Sequence, residues 1–438
     1  MVTSASAVPP VLERHAVPDK CPGALRMFEA SDGKIARVRL AGSPLTVAQA
    51  RLLGDLADEL GDGHVLFTTR ANVQLRGLSE DDAAQFPERV EAAGLLPSRT
   101  HERTRNVVVS PLTGIDGRAD VIPVAQALDR AICAAPELTG LAGRFLIGLD
   151  DGSGDVASLP LDLTAQVHHD QLVLALGSGR DEDTCAVGPL ADPAAVAATL
   201  ADVCRVWLAV RADHAEEVWN VDDLSPAARD DLHDRVGASL QPADQAVRRA
   251  TEQPRLGGTV PDGDGRVAVL AKAPMAAISS AGWRAACDVA EQGDGQLRVT
   301  PWHAVVIRAV PADQAAALRE TLARTGWATD PADPWLDVHA CTGLPLCARS
   351  HADMQARAQD LVDSLGTEPL DGLPVMWSGC ARQCGHPATA HHALVATGTD
   401  EFEMFLHDGS HAPQQGPSRE RVSSGQAIAL LTTAGSIA

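Results

Sequence analysis

No run of about 18 uninterrupted apolar residues occurs in the chain, so nothing in it reads as a membrane span. Positive charge is also short. Only 36 basic side chains stand against 58 acidic ones, a formal charge of −22, which opposes binding to phosphate backbones and argues against nucleic acid as a partner. The segment Met1–Pro10 has neither the basic start nor the long apolar stretch of a secretory signal. A cytoplasmic location is therefore expected, and residues 1–18 read as a loose tail. Cysteine is scarce for the length, nine in 438 residues, too few and too scattered for a disulfide framework. Four of the nine nonetheless fall close together near the C-terminal end. A glycine-rich nucleotide motif in a strand–turn–helix setting is missing too.

What remains is the composition of an ordinary folded protein, 45% hydrophobic and 21% charged, with length for roughly two to four domains. Laid against itself, the sequence repeats. Arg37-Val-Arg-Leu40 leads into a helical pattern over Thr46–Leu60, then Gly61-Asp-Gly63, the strand-like His64–Thr69 and a second alternating run over Asn72–Leu78. Residues 266–310 retrace that path through Arg266–Leu270, a helical Ala281–Glu291, Gly293-Asp-Gly295, Gln296–Thr300 and Ala304–Arg308. Each copy reads strand, helix, turn, strand, turn, strand. A unit of this kind leaves one sheet face uncovered, so the copies are expected to pack as a pair across a pseudo-two-fold axis.

The expected boundaries are a first small unit over 19–94, a larger unit with a linker over 95–253, a second small unit over 254–318 and a second larger unit over 319–438. Within the larger units, residues 178–195 read as an exposed acidic loop and Arg211–Gln253 as a charged helical bridge.

The clustered cysteines lie in Cys341-Thr-Gly-Leu-Pro-Leu-Cys347 and Cys380-Ala-Arg-Gln-Cys384, C-x5-C followed by C-x3-C. Four thiolates are what a [4Fe–4S] cube needs, one per iron. Zinc, which usually draws on C-x2-C or C-x4-C knuckles, and four buried structural cysteines are the alternatives. Ala348–Leu365 between the loops reads as an amphipathic helix whose positive N-terminus would face an anionic cluster.

The cysteine pairs, the strand Thr69-Arg-Ala-Asn-Val-Gln74, the segment Arg105-Asn-Val-Val-Val-Ser-Pro111 and the repeat together resemble the siroheme-dependent sulfite and nitrite reductases over nearly the whole chain. The resemblance implies a duplicated α+β architecture, in which two ferredoxin-like halves pair and two larger α/β halves form the tetrapyrrole and cluster site. Cys21-Pro-Gly-Ala-Leu-Arg26, Asp32-Gly33 and Ser378-Gly-Cys-Ala-Arg-Gln-Cys-Gly-His-Pro387 are more similar to the precorrin-3B synthase branch of that superfamily. By that resemblance Cys341, Cys347, Cys380 and Cys384 ligate a [4Fe–4S] cluster.

The same resemblance implies a precorrin-3A substrate, O2 as co-substrate, and an NADH-linked reductase or other external donor. The reaction would be hydroxylation at C20 with formation of a γ-lactone. A mononuclear non-haem iron is also expected of that branch, although no 2-His-1-carboxylate spacing stands out. Siroheme belongs to the alternative reading, an assimilatory sulfite or nitrite reductase; a non-catalytic tetrapyrrole or cluster carrier is a third.

A substrate ringed with acetates and propionates needs local cations on a protein this acidic, and the guanidinium fork binds carboxylate in a bidentate way. Arg70, Arg105 and Arg144 match basic positions of the reductases. Asn72, Gln74 and Arg76 share a strand face with Arg70 by alternation. In Leu141-Ala-Gly-Arg-Phe-Leu-Ile-Gly148 the sulfite reductases carry a lysine-rich pattern, and this chain has Arg144 and then the apolar Leu146. The adjacent pairs His168-His169 and His391-His392 diverge in a strand, so no histidine is expected as a metal ligand, and His386 is left as a loop residue beside the second cysteine pair.

Overall fold

The computed structural model describes Asp19 and residues 21–254, 256–366, 370, 372–409 and 419–433; the tail expected over 1–18 lies outside the described residues. The first repeat unit is built around helix Val47–Leu60. Thr46 and Gln49 close its start with a capping box. Ala50, Leu53, Leu56, Ala57 and Leu60 recur at helical spacing along its buried face. The second unit uses Ser280–Glu291 in the same way, with the Ser279 side chain accepting from Gly282 N.

Each unit carries a five-stranded sheet, and each sheet borrows one edge strand from the other unit. Leu45–Thr46 pairs with Gln296–Val299 of the second sheet, while Ala277–Ser279 pairs with His64–Phe67 of the first. The Gly-Asp-Gly turns explain why the exchange is symmetric. Gly63 O accepts from Ser280 N at 2.9 Å, and Gly295 O accepts from Val47 N at 3.0 Å, so each turn holds the start of the other unit's helix. Both glycines have positive φ, 80° and 75°, which an L side chain adopts only with strain.

The two helices then pack on each other. Trp283, fully buried, donates its indole N–H to Ala50 O at 2.6 Å, and a Cβ on Gly54 would come within 2.9 Å of its ring. Trp283→Ala is expected to lower stability by about 3–5 kcal/mol, read as a shift of the denaturant midpoint. A shift under about 1 kcal/mol would show that the interface is held elsewhere.

The two larger units repeat each other as well. The first sheet runs Val107–Val109, Ile147–Asp150 and Leu163–His168 in parallel, then Gln171–Leu176 and Cys185–Pro189 antiparallel. The second runs Val338–Ala340, Val375–Ser378 and His391–Ala396 in parallel, then Phe402–His407 and Glu420–Val422 antiparallel. Ser110 N donates to Leu149 O, and Cys341 N donates to Trp377 O, so Ser110 and Cys341 occupy equivalent places after the first strand of each sheet.

Several segments differ from the sequence reading. The acidic stretch 178–195 contains the strand Cys185–Pro189, whose bulge between Ala186 and Gly188 leaves little periodicity to read. Of the bridge expected over Arg211–Gln253, only the end of helix Pro193–Asp213 and helix Pro226–Ser239 are helical. Beyond Ser239 the chain turns to line the strand Cys185–Pro189, with Gln241 O accepting from Ala186 N and Ala243 N donating to Thr184 O. Pro193–Asp213 has the length and hydropathy of a membrane span, but Leu200, Cys204, Trp207 and Val210 are buried in the core. Helix Ala315–Arg324 crosses residue 318, so the second small unit extends to about its end.

The helix between the cysteine loops begins at Met354, capped by Asp353, rather than directly after Cys347. Residues 348–353 are held out of it because His351 N donates to Gly379 O, which ties the two loops together.

Candidate functional site

Cys341 follows the end of Val338–Ala340, and Cys380 lies two residues beyond Val375–Ser378. Both loops thus leave the carboxyl ends of neighbouring parallel strands, where open α/β sheets bind ligands. Gly343, at φ 68°, passes so close to the next helix that a Cβ would lie 2.6 Å from Met354 N. A Cβ on Gly379 would collide with Ser350 Oγ. The late helix start therefore still abuts the first cysteine loop. Ser31 Oγ and Arg76 Nη2 donate to Leu346 O, at 3.1 and 3.4 Å, and lean that loop on the first small unit.

Gly379 N–H already points at Cys341 Sγ at 3.2 Å. Burial pushes the Cys341 thiol up; the Gly379 and Gly343 N–H groups oppose this, and Cys384 and Cys347 push it further. Burial raises the Cys384 thiol as well, and thiols that resist ionisation are suited to a cation or cluster that takes their protons' place. The donor set fits a [4Fe–4S] cluster.

A second concentration of charge surrounds Cys21, beside a cleft of about 760 Å³ whose lining includes Asp19, Cys21, Arg26, Lys34 and Arg103. Arg37 is pulled down to about 10, first by burial and then by the neighbouring Arg70 charge. Arg39 falls to about 9 by burial and then by Arg37. Cations held this close are under-neutralised and gain from an anionic ligand. Two donors there are buried with no hydrogen-bond partner among the described residues, Arg39 Nη2 and Asn72 Nδ2.

The predicted residues divide accordingly. Arg70 is half-buried, reaches Cys21 Sγ at 3.9 Å, and has no carboxylate partner among the described residues. Arg144 is exposed, lies 4.8 Å over the Trp219 ring, and meets Asp19 only at 3.7 Å. Asn72 accepts from Leu40 N, and Gln74 accepts from Arg37 Nε and Nη2.

Arg105 does not offer a free fork. It is 4% exposed and locked to Asp129 by bonds of 2.6 and 2.8 Å. Arg76 is likewise bound in a bidentate pair, to Asp32 at 2.6 and 2.7 Å, and the second unit repeats this pair as Arg308–Asp262. Arg37 and Arg39 were missed as site residues. Their alternation along one strand, together with Arg70 on the neighbouring turn, is the signal that could have found them.

His391 and His392 do diverge, but His391 meets His386 and His407, a contact across strands that adjacent residues cannot reveal.

With the fold and site in place, residues 29–93 and 259–325 each match the nitrite/sulfite reductase ferredoxin-like half domain. The chain thus carries two copies of the nitrite/sulfite reductase ferredoxin-like half domain. Among curated relatives it is similar to a precorrin-3B synthase of Sinorhizobium sp, 28% identical over 388 residues covering 86% of this chain and 80% of that one. It is also similar to the ferredoxin–nitrite reductase of Leptolyngbya laminosa, 25% identical over 401 residues covering 84% and 77%. Of solved structures, Mycobacterium tuberculosis NirA shares the fold with a TM-score of 0.72 at 21% identity, covering 91% of this chain and 79% of that one.

Proposed function

We propose that this chain is a precorrin-3B synthase of cobalamin synthesis, an oxygen-dependent monooxygenase that hydroxylates precorrin-3A at C20 and closes a γ-lactone. The observation that carries the reading is Leu146. It lies in the segment where, by the resemblance, sulfite reductases carry a lysine-rich pattern, and its side chain is 5% exposed among Ala71, Val108, Leu161, Leu270 and Trp302. A position turned into an apolar core neither binds sulfite nor passes protons to it. The Sinorhizobium relative supports the same reading by its name.

In this proposal Arg37, Arg70 and Arg144 hold rim carboxylates, and the orphaned donors Arg39 Nη2 and Asn72 Nδ2 find acceptors on the same ligand. Cys341, Cys347, Cys380 and Cys384 hold the [4Fe–4S] cluster, which supplies electrons received one at a time from an external, NADH-linked reductase. Such thiolate chemistry suits a reducing, cytoplasmic compartment.

The second reading, a siroheme-dependent reductase, draws on the nitrite reductase relatives and the shared fold. Anaerobic purification separates the two. The protein is expected to lack stoichiometric siroheme, to leave sulfite and nitrite unreduced with a strong artificial donor, and to consume oxygen with precorrin-3A. Tightly bound siroheme together with sulfide or ammonia production would establish the reductase instead. Binding of precorrin without turnover would leave a carrier.

A further inference from the structure

Three histidines meet on one face of the sheet that carries the cysteine loops. His391 opens strand His391–Ala396, His407 closes Phe402–His407, and the two are direct cross-strand partners. Opposite residues of an antiparallel pair present their side chains on the same face, and here the ring centroids stand 4.7 Å apart. His386, two residues beyond Cys384, adds a third ring at 4.8 Å from His407 and 5.6 Å from His391. One ring nitrogen of each lies within 4.8 Å of the others. His391 is 0% and His407 4% exposed.

The hydrogen bonds show which nitrogens carry lone pairs. His391 Nδ1 donates to Thr389 O at 2.8 Å, and its Nε2 is buried with no hydrogen-bond partner among the described residues. His386 Nδ1 donates to Pro387 O at 2.9 Å, which likewise puts the lone pair on Nε2. An Nδ1–H fixed on a backbone carbonyl is the usual support for an Nε2 metal ligand. His407 Nδ1 accepts from Gly409 N–H at 2.9 Å, a contact its ring gives up on turning toward the other two.

We propose that His386, His391 and His407 hold a single divalent first-row transition ion, distinct from the cluster. The donors are all imidazole, which suits zinc, iron, nickel or copper and not calcium or magnesium. Three protein ligands leave coordination positions open, as in catalytic rather than structural sites. Bonds of about 2.1 Å draw the three nitrogens inward from their present spacing. The inference rests on the histidine geometry and stands whether or not the chain acts on a tetrapyrrole.

The test uses cluster-loaded protein, so that the four thiolates are already engaged, equilibrated with micromolar zinc, gel-filtered and assayed for metal. About one zinc per chain is expected beyond the cluster iron. His391→Ala and His407→Ala should each weaken retention by more than about 100-fold. His392→Ala, on the opposite sheet face, should bind as the parent does, and the visible spectrum of the cluster should be unchanged throughout. Should an alanine variant lose its cluster, His391→Gln and His407→Gln, which keep the bulk, decide in its place. A parent protein that retains no zinc overturns the proposal, and so do variants that retain it fully.

Discussion

Replacing any one of Cys341, Cys347, Cys380 or Cys384 with serine is expected to remove the cluster. Anaerobically purified protein should be brown and hold about four irons and four sulfides per chain, with one further iron where the histidine site is filled from the same source. A serine hydroxyl does not ionise near neutral pH as a thiol beside iron does, so each variant should be nearly colourless and sulfide-free. Cys133→Ser, on helix Ile122–Ala134, should keep the full complement. A cluster that survives the loss of two of the four would mean that other residues hold it. Zinc in place of iron and sulfide would return the site to the competing metal.

The second large effect is on substrate affinity, and the structure sorts the arginines by it. Arg70 has no carboxylate partner among the described residues, and Arg144 meets Asp19 only at 3.7 Å. Alanine at either should weaken precorrin binding by about 10- to 150-fold, the worth of a charge-assisted contact of roughly 1.5–3 kcal/mol. Lysine should restore only part, since it keeps the charge but loses the fork. Arg105→Ala belongs to another class. It strands Asp129, whose side chain is 16% exposed, and should lower stability by about 3–5 kcal/mol with little effect on the affinity of the chains that remain folded. Arg130→Ala is the neutral control. Titration of precorrin-3A with parallel denaturation curves separates the outcomes, and unchanged affinity in both the Arg70 and Arg144 variants would displace the site.

Much of the frame was legible because its signals are local. Gly-Asp-Gly occurs in both copies for the same backbone reason, and the four cysteines announce themselves by spacing. The exchanged strands were not legible: Leu45–Thr46 and Ala277–Ser279 are too short to leave a period-2 pattern, and their partners lie in the other unit. Arg105 gave the same signal as Arg70, because nothing near it in the sequence points to Asp129 on the following helix. The histidine cluster depended on register. His391 and His407 become neighbours only when one strand pairs with the next, and a shift of one residue would turn one of them to the other face.

The equivalence of Ser110 and Cys341 gives the frame a direction. A perfectly duplicated molecule would offer two places for a cluster, one after the first strand of each larger sheet. In the first of them a hydroxyl stands in place of the thiol, donating to Asp155 Oδ1 at 2.6 Å, and burial, with the Asp150 charge beside it, lifts that carboxyl to about 7. An alcohol and a carboxyl drawn toward its neutral form give iron no soft, charged ligand. Under the proposed function, a cluster held by the four cysteines would therefore feed electrons to a bound macrocycle from one side of the pseudo-symmetric frame, and the opposite side would be left electrically quiet.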